Sequence, residues 1–443
     1  MYQCKKSLHL IDDLFVFFLF TKHFSGMPVA KKASETRRRS SAGGRRDTVT
    51  AVRSATSRMQ LSANQKSRLN QLYEPWFMFS LIWSIGATTD EEGRKKFSDY
   101  LREKMKENQA TFPFPEDGDV YDYVLNDSTV GKGEEDEEAS GDWSPEWVSW
   151  LTKSPEYRVP EGTKFTDILV PTIDTIRLST LLAMLVSCQK QVLAIGPTGT
   201  GKSVVINDKL LTGMEDKFVP NVVVFSAKTS ANQTQDLIDA RLDKRRKGIF
   251  GPPISKYAVF FIDDFNMPAL EEYGAQPPIE LIRQWMDHGG WYDRKAIGSF
   301  RTLVDIGFVC AMGPPGGGRN PVTARLQRHF NYLSFIEMSD SSKARIFGTI
   351  LDSWLPEELV DYKNIIVDSA IKVYGTVCNQ LLPTPAKSHY TFNLRDLAKV
   401  FQGKIILKPS SENVSFYRLD LEKQEGCGVV AHESITEPRV TME

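Results

Sequence analysis

This chain is expected to fold as an α/β protein: a five-stranded parallel sheet flanked by helices, followed by a smaller helical domain. Three features carry that expectation. Through the middle of the chain, strand-like apolar runs alternate with helical stretches, as parallel sheets require. One such run, Gln191 to Ile195, leads directly into Gly196-Pro197-Thr198-Gly199-Thr200-Gly201-Lys202-Ser203, which fits the phosphate-binding pattern G-x-x-x-x-G-K-[ST]. Another, Tyr257 to Ile262, ends in the acidic pair Asp263-Asp264, so that a buried strand delivers carboxylates at its C-terminal edge.

Residues 1–67 read as a disordered basic arm: Lys31 to Asn70 holds eleven Lys or Arg against two acids, with almost no aromatics to stack on bases. The run Leu14 to Phe20 follows Asp12-Asp13, lacks a small-residue cleavage pattern and is too short to span a bilayer. On these features the run is not expected to be a signal peptide or a membrane span, and the protein is expected to be soluble and intracellular. Five cysteines, widely spaced and without a C-x-x-C pair, point to a reducing compartment and no structural zinc.

Residues 68–111 should form two helices, from the spacing of Leu72, Trp76, Phe79, Ile82 and Trp83 and the charged run Glu91 to Lys106. Residues 112–160 read as an acidic, Pro-rich linker, with eleven Asp or Glu against one lysine between Pro115 and Asp142. Residues 161–340 form the sheet domain. A helix marked by Ile176, Leu181, Leu182 and Leu185 precedes the phosphate-loop strand, and the helix Val204 to Leu211 follows the loop. Then come a strand at Val222 to Phe225, a polar helix from Gln233 to Arg246, the acidic-pair strand and a helix from Ile279 to Asp287. A hairpin around Gly289 to Arg294 and strands at Val304 to Met312 and Tyr332 to Glu337 complete the domain. Residues 341–403 should be a helical small domain, and from 404 to 443 the helical pattern is lost.

The loop and the acidic pair define a nucleoside triphosphate site. Its glycines let backbone N–H groups curl around phosphate oxygens at a helix N-terminus. Lys202 would reach the β and γ phosphates and Ser203 would bind Mg²⁺. Of the two acids, one would sit by the metal and one by the attacking water. A Gly-rich turn with a chance lysine, or an acidic pair serving as a helix cap, is the plain alternative for each motif alone; together they favour the site.

With these elements in place the chain resembles an AAA+ ATPase, and more narrowly a dynein heavy chain. The resemblance rests on Val170 to Arg177, Phe261 to Pro268, Gly313 to Thr323 and Thr391 to Leu397, which are similar to the third of dynein's six ATPase modules. Phe77 to Gly86 resembles the tail of the second module. The sequence Gly313-Pro314-Pro315-Gly316-Gly317-Gly318-Arg319 resembles the axonemal type.

The resemblance implies ATP or ADP with Mg²⁺ as cofactors and assigns roles residue by residue. Val170 and Pro171 would line the adenine pocket, and Gly196 through Ser203 would hold the phosphates. Ser203 and Asp263 would serve the metal, and Asp264 would polarise the attacking water. Arg395 takes the position of the sensor arginine at the start of a small-domain helix. Arg325 and Arg328 are candidates for the finger projecting into a neighbouring module's site, a surface salt bridge being the plain reading for either. His329 is read as structural.

Two departures bear on turnover. AAA+ sites that hydrolyse commonly carry Glu where this chain has Asp264, and Asp is shorter by one methylene; a displacement of about 1 Å costs on the order of a hundredfold in rate. At the end of the fourth strand, where a polar sensor side chain is usual, the chain has Gly313. Binding is thus better supported than rapid hydrolysis.

The implied role is an ATP-binding, slowly hydrolysing module of a minus-end-directed microtubule motor that drives ciliary movement. Its expected partners are neighbouring AAA+ modules, dynein intermediate and light chains, and microtubules reached through parts of the motor that this sequence lacks. Its expected place is the cytoplasm, cytoskeleton and ciliary axoneme, without nucleic acid or membrane. The alternatives are a structural or regulatory nucleotide site without turnover, and an unrelated remodeller acting on nucleic acid through the basic arm. The sequence is expected to be a fragment or a truncated gene model, with residues 404–443 foreign to the module.

Overall fold

The computed structural model describes residues 63–406 except 127–144, 154–156, 161–162, 166–167, 356, 385–386 and 388–389. Nearly all of the basic arm, the Leu14 to Phe20 run, the most acidic part of the linker and the tail beyond 406 lie outside the described residues. The rest forms two compact units. One comprises the residues up to Tyr157 with Val170–Ser342, and the other Arg158–Leu169 with the chain from Lys343.

The first unit begins with α1 (Ala63–Ser84) and α2 (Glu91–Glu107). Along α1, Leu72, Trp76, Phe79 and Trp83 recur every three or four residues and are buried, the spacing that puts side chains on one helix face. Asp90 caps α2 by accepting from the Gly93 amide at 2.8 Å, acids fill its first turn and lysines its last, all of which complement the helix dipole. The expected linker contains structure. Tyr123–Asn126 (β1) and Glu146–Ser149 (β2) pair antiparallel, and Trp150 donates to the Tyr121 carbonyl at 3.1 Å. Charge dominates the composition of that stretch, but Val120, Tyr121, Val124 and Leu125 sit between the acids and are buried.

Next, α3 (Ile173–Ser187) starts at a Thr172–Thr175 capping box. It is followed by β3 (Val192–Ile195), α4 (Lys202–Thr212), β4 (Phe218–Val224) and α5 (Ala231–Asp239). Here the helix expected to reach Arg246 stops early: β5 (Asp243–Arg246) turns through Gly248, at φ +76°, into β6 (Ile249–Gly251). Leu242 aside, residues 241–246 are charged, and without an apolar stripe the segment has little to hold it as a helix.

After β7 (Tyr257–Asp263) come α6 (Pro277–His288), β8 (Gly290–Tyr292) and β9 (Phe300–Leu303), then β10 (Ile306–Met312), the short α7 (Ala324–Gln327) and β11 (Asn331–Ser334). Strands β5, β6, β9 and β8 form a small second sheet, which contains the expected hairpin as the β8–β9 pair.

The main sheet is parallel, ordered β11-β3-β10-β7-β4. Strands β7 and β10 are buried almost throughout, so they read as continuous apolar runs. Alternate residues face opposite sides. Val259, Phe261, Val309 and Ala311 join an apolar cluster with α1, α3 and α4. Ala258, Phe260, Ile262, Phe308 and Cys310 join another with α5, α6 and β8.

The second unit contains most of α8 (Asp340–Asp352), with α9 (Lys363–Gln380) and α10 (Leu394–Ile406). Phe347 and Phe401 stack at 4.3 Å among buried Ile350, Leu351, Val367, Ile371 and Leu397. Helix α10 continues three residues past Gly403, where the sequence pattern had suggested that regular structure ends.

Candidate functional site

The strand order sets β10 between β3 and β7, so three strand ends meet at one edge of the sheet. The Gly196 amide donates to the Met312 carbonyl at 3.4 Å and the Phe265 amide to the Ala311 carbonyl at 2.9 Å. The loops after β3, β7 and β10 are thereby held side by side, at the carboxyl edge where open parallel sheets bind ligands.

Residues 196–203 form the wall of this edge. A Cβ on Gly196 would fall 2.2 Å from the Phe335 carbonyl oxygen, so the loop passes the end of β11 at a distance only glycine permits. Gly199 and Gly201 have φ of +84° and +79°, which L side chains resist, and Gly201 caps α4 in that conformation. Lys202 Nζ donates to the carbonyls of Gly196 at 2.9 Å and Pro197 at 2.6 Å. The buried Thr200 hydroxyl donates to the Pro197 carbonyl at 3.0 Å.

Among the described residues, the amides of Thr198, Gly199, Thr200, Gly201, Ser203 and Val204 have no hydrogen-bond acceptor. Such a set of N–H groups before and within the first turn of an eleven-residue helix is a cradle for an oxyanion, and the helix dipole adds to it. A polyphosphate fits these donors; Lys202 lies at their edge, and the Ser203 hydroxyl lies at the start of α4, where it would help hold a divalent cation that neutralises phosphate charge.

Across β10, Asp263 ends β7 and its Oδ1 accepts from the Asp264 amide at 3.0 Å. Asp264 has φ +51°, a conformation in which Asp is better tolerated than most side chains. Its carboxylate is paired with Arg319, whose Nη2 donates to Asp264 Oδ1 at 3.1 Å. Arg319 Nη1 donates to Thr198 Oγ1 at 3.1 Å, so one guanidinium bridges the phosphate loop and the acidic pair.

Arg319 had no role in the sequence reading, although its loop had been noted. Glycines 316, 317 and 318 all have positive φ, and Gly316 and Arg319 exchange backbone hydrogen bonds at 3.0 and 3.1 Å. The result is a tight turn that sends Arg319 back toward the sheet. Buried Asn266 anchors both ends of the loop, its Nδ2 donating to the carbonyls of Gly313 at 2.9 Å and Asn320 at 3.2 Å.

The other named residues divide. Val170 is buried and Pro171 half-buried, immediately before the Thr172 cap of α3. Arg328 donates to Asp287 at 2.5 Å, and His329 lies 3.0 Å from the same carboxylate. Partial burial pushes the Asp287 carboxyl up, but hydrogen bonds from Arg328 and Arg283 and the charge of His329 hold it below the ordinary carboxylate range. Arg328 is therefore committed within its own unit. Arg325 is exposed and makes no ion pair or side-chain hydrogen bond among the described residues, which leaves it the freer of the two to reach outward. Arg395 is exposed at the second position of α10 in the other unit, where its amide donates to Asn393 Oδ1 at 2.8 Å.

Comparisons with known proteins agree with this architecture. Residues 157–338 match the P-loop containing dynein motor region, residues 48–134 the dynein heavy chain AAA lid domain, and residues 366–424 the AAA+ lid domain. Among curated relatives, dynein axonemal heavy chain 1 of Homo sapiens is 52% identical over 394 residues, covering 85% of this chain and 9% of that protein. Dynein axonemal heavy chain 12 of Rattus norvegicus is 45% identical over 379 residues, covering 81% of this chain and 12% of that protein. Dynein axonemal heavy chain 3 of Homo sapiens is 42% identical over 347 residues, covering 74% and 8%. The chain thus spans about a tenth of the length of these relatives. A parallel sheet with a phosphate cradle at its edge and matches to a dynein motor region and two lid domains lead to one conclusion: the chain belongs to the axonemal dynein heavy-chain family, as an AAA+ nucleotide-binding segment of the motor.

Proposed function

We propose that this segment binds Mg·ATP and hydrolyses it slowly, as the third AAA+ module of an axonemal dynein heavy chain. The observation that carries this reading is the set of amides, those of Thr198, Gly199, Thr200, Gly201, Ser203 and Val204, that have no acceptor among the described residues, which suits a triphosphate. Gly196 through Ser203 hold the phosphates, Ser203 and Asp263 serve the cation, and Val170 and Pro171 cover the base. Asp264 orients the attacking water, and Arg395 senses the terminal phosphate from the small domain. Arg325, rather than Arg328, supplies the finger to a neighbouring module.

In the whole motor, occupancy of this site would bias closure of the large domain on the small one, a rigid-body change that adjoining modules feel. The motor's travel along microtubules, its intermediate and light chains and its place in the ciliary axoneme belong to the same reading. Calorimetric titration tests it. The 443-residue chain should bind ATP and ADP in the presence of Mg²⁺, and Lys202→Ala should weaken both by at least about tenfold, the loss of one charge-assisted phosphate contact. Equal affinity in the two proteins would remove the basis for the reading.

A further inference from the structure

We propose that Arg319 replaces the polar side chain missing at Gly313 and reads the terminal phosphate of bound nucleotide; this rests on the nucleotide site proposed above. A Cβ built on Gly313 would lie 2.9 Å from both Cδ and Nε of Arg319 and 3.0 Å from its Cζ. The space that a side chain at the end of β10 would enter is therefore filled by a guanidinium arriving from six residues further along. Gly313 and Arg319 are one device: the glycine makes room, and the arginine occupies the room with a longer, permanently charged group.

The guanidinium has capacity to spare. Of its five N–H donors, one bonds Thr198 in the phosphate loop and one bonds Asp264. Nε is buried and has no partner among the described residues, an arrangement that is costly unless an acceptor arrives. A terminal phosphate lying beyond the amide cradle would present oxygens to these donors, in the planar geometry that Arg matches best. The two inner phosphates would be served by the amides and by Lys202, which also reaches the terminal one; Arg319 would meet only the terminal phosphate and so distinguishes triphosphate from diphosphate.

The support behind Arg319 is built rather than incidental. Three consecutive glycines at positive φ make the turn, and Asn266 holds the carbonyls at both of its ends. Asn320 adds a backbone hydrogen bond to the Asn266 carbonyl at 3.0 Å and a side-chain bond to the Pro268 carbonyl at 2.8 Å. The loop after β10 is thereby locked to the loop after β7, and the charge of Arg319 stays beside Asp264. In addition to reading the phosphate, Arg319 positions the Asp264 carboxylate.

The test compares binding of a non-hydrolysable Mg·ATP analogue with binding of Mg·ADP, using the 443-residue chain and its Arg319→Ala, Arg319→Lys and Lys202→Ala variants. Arg319→Ala should lose at least about tenfold in affinity for the triphosphate and stay within about twofold for ADP, with Arg319→Lys between it and the parent. Lys202→Ala should weaken both nucleotides. Equal losses for the two nucleotides in Arg319→Ala, or an unchanged triphosphate affinity, would overturn the assignment while leaving the nucleotide site standing. A parent chain that binds neither nucleotide would overturn both. Thermal midpoints identify any misfolded variant, and should Arg319→Ala be one, Arg319→Lys decides by the same ratio.

Discussion

At the scale of single residues, Asp264 raises the sharpest question, because its identity, backbone and partner bear on turnover in different directions. One methylene fewer than Glu withdraws the carboxylate from the water it would polarise, and a misplacement of about 1 Å is worth on the order of a hundredfold. Its φ of +51° nevertheless favours Asp, since a longer side chain is less at ease in the left-handed region. Asp264→Glu should therefore raise the single-turnover hydrolysis rate by about tenfold or more while costing about 1 kcal/mol of stability. Quenched-flow measurement with enzyme in excess reads the first effect and denaturant unfolding the second. If the rate did not move, the carboxylate would not be limiting, and a structural nucleotide without turnover would become the better account. Arg319 bears on this too, because its bond to Asp264 would need to be kept by the longer carboxylate.

At the scale of elements, the site is three strand ends and the loops that leave them, and Asn266 is the common fastening. Its side chain is 1% exposed and bonds the carbonyls at both ends of the loop that carries Arg319. Asn266→Ala takes this donor from one buried and one partly buried carbonyl, at a cost of about 1–3 kcal/mol. The expected outcome is a lower denaturation midpoint together with selective loss of triphosphate affinity, because a slack loop no longer holds Arg319 in place. A destabilised variant that still preferred ATP over ADP as strongly as the parent would show that the loop does not depend on this anchor. Legibility follows the same division. Strands β3, β7 and β10 could be read from sequence because burial on both faces makes them plain apolar runs, and the phosphate loop because its chemistry needs fixed residues at fixed spacing. Strand β5 was hidden, since its four charged residues are held by backbone pairing with β6 and not by any periodicity of their own. Arg319 was hidden for a related reason: its partners are 121 and 55 residues away in sequence, and only the folded turn brings them together.

At the scale of the whole molecule, helices α1 and α2 and the sheet behave as one packed body. A single apolar cluster runs from Leu72, Trp76, Trp83 and Trp150 to Leu182, Val192, Phe261 and Phe335. Arg94 of α2 donates at 3.2 Å to the Ser334 carbonyl at the end of β11, one residue before the Phe335 carbonyl that crowds Gly196. The helical segment that matches a dynein lid domain thus reaches to within a residue of the phosphate loop's base. Burial holds the Arg94 guanidinium down at about 10, with the nearby charge of Arg177 acting in the same direction, yet the side chain stays there, fixed by the Ala87 and Ser334 carbonyls and by the face of Tyr121. If packing joins the two parts energetically, damage far from the nucleotide should be felt at it. Trp83 is the place to strike: it is 9% exposed, packs edge-on against Tyr121 and Trp150, and lies 5.9 Å beneath the Arg177 guanidinium of α3. Trp83→Ala should cost about 3–5 kcal/mol. Because the cluster is shared, thermal unfolding should remain one transition for this body, shifted down and still raised by added Mg·ATP through mass action. Tryptophan fluorescence and fluorescent-nucleotide release, followed on the same sample, should move together. Two separate transitions, with nucleotide release left at the parental temperature, would mean that the helices merely lean on the sheet and that any signal from a neighbouring module must take another route.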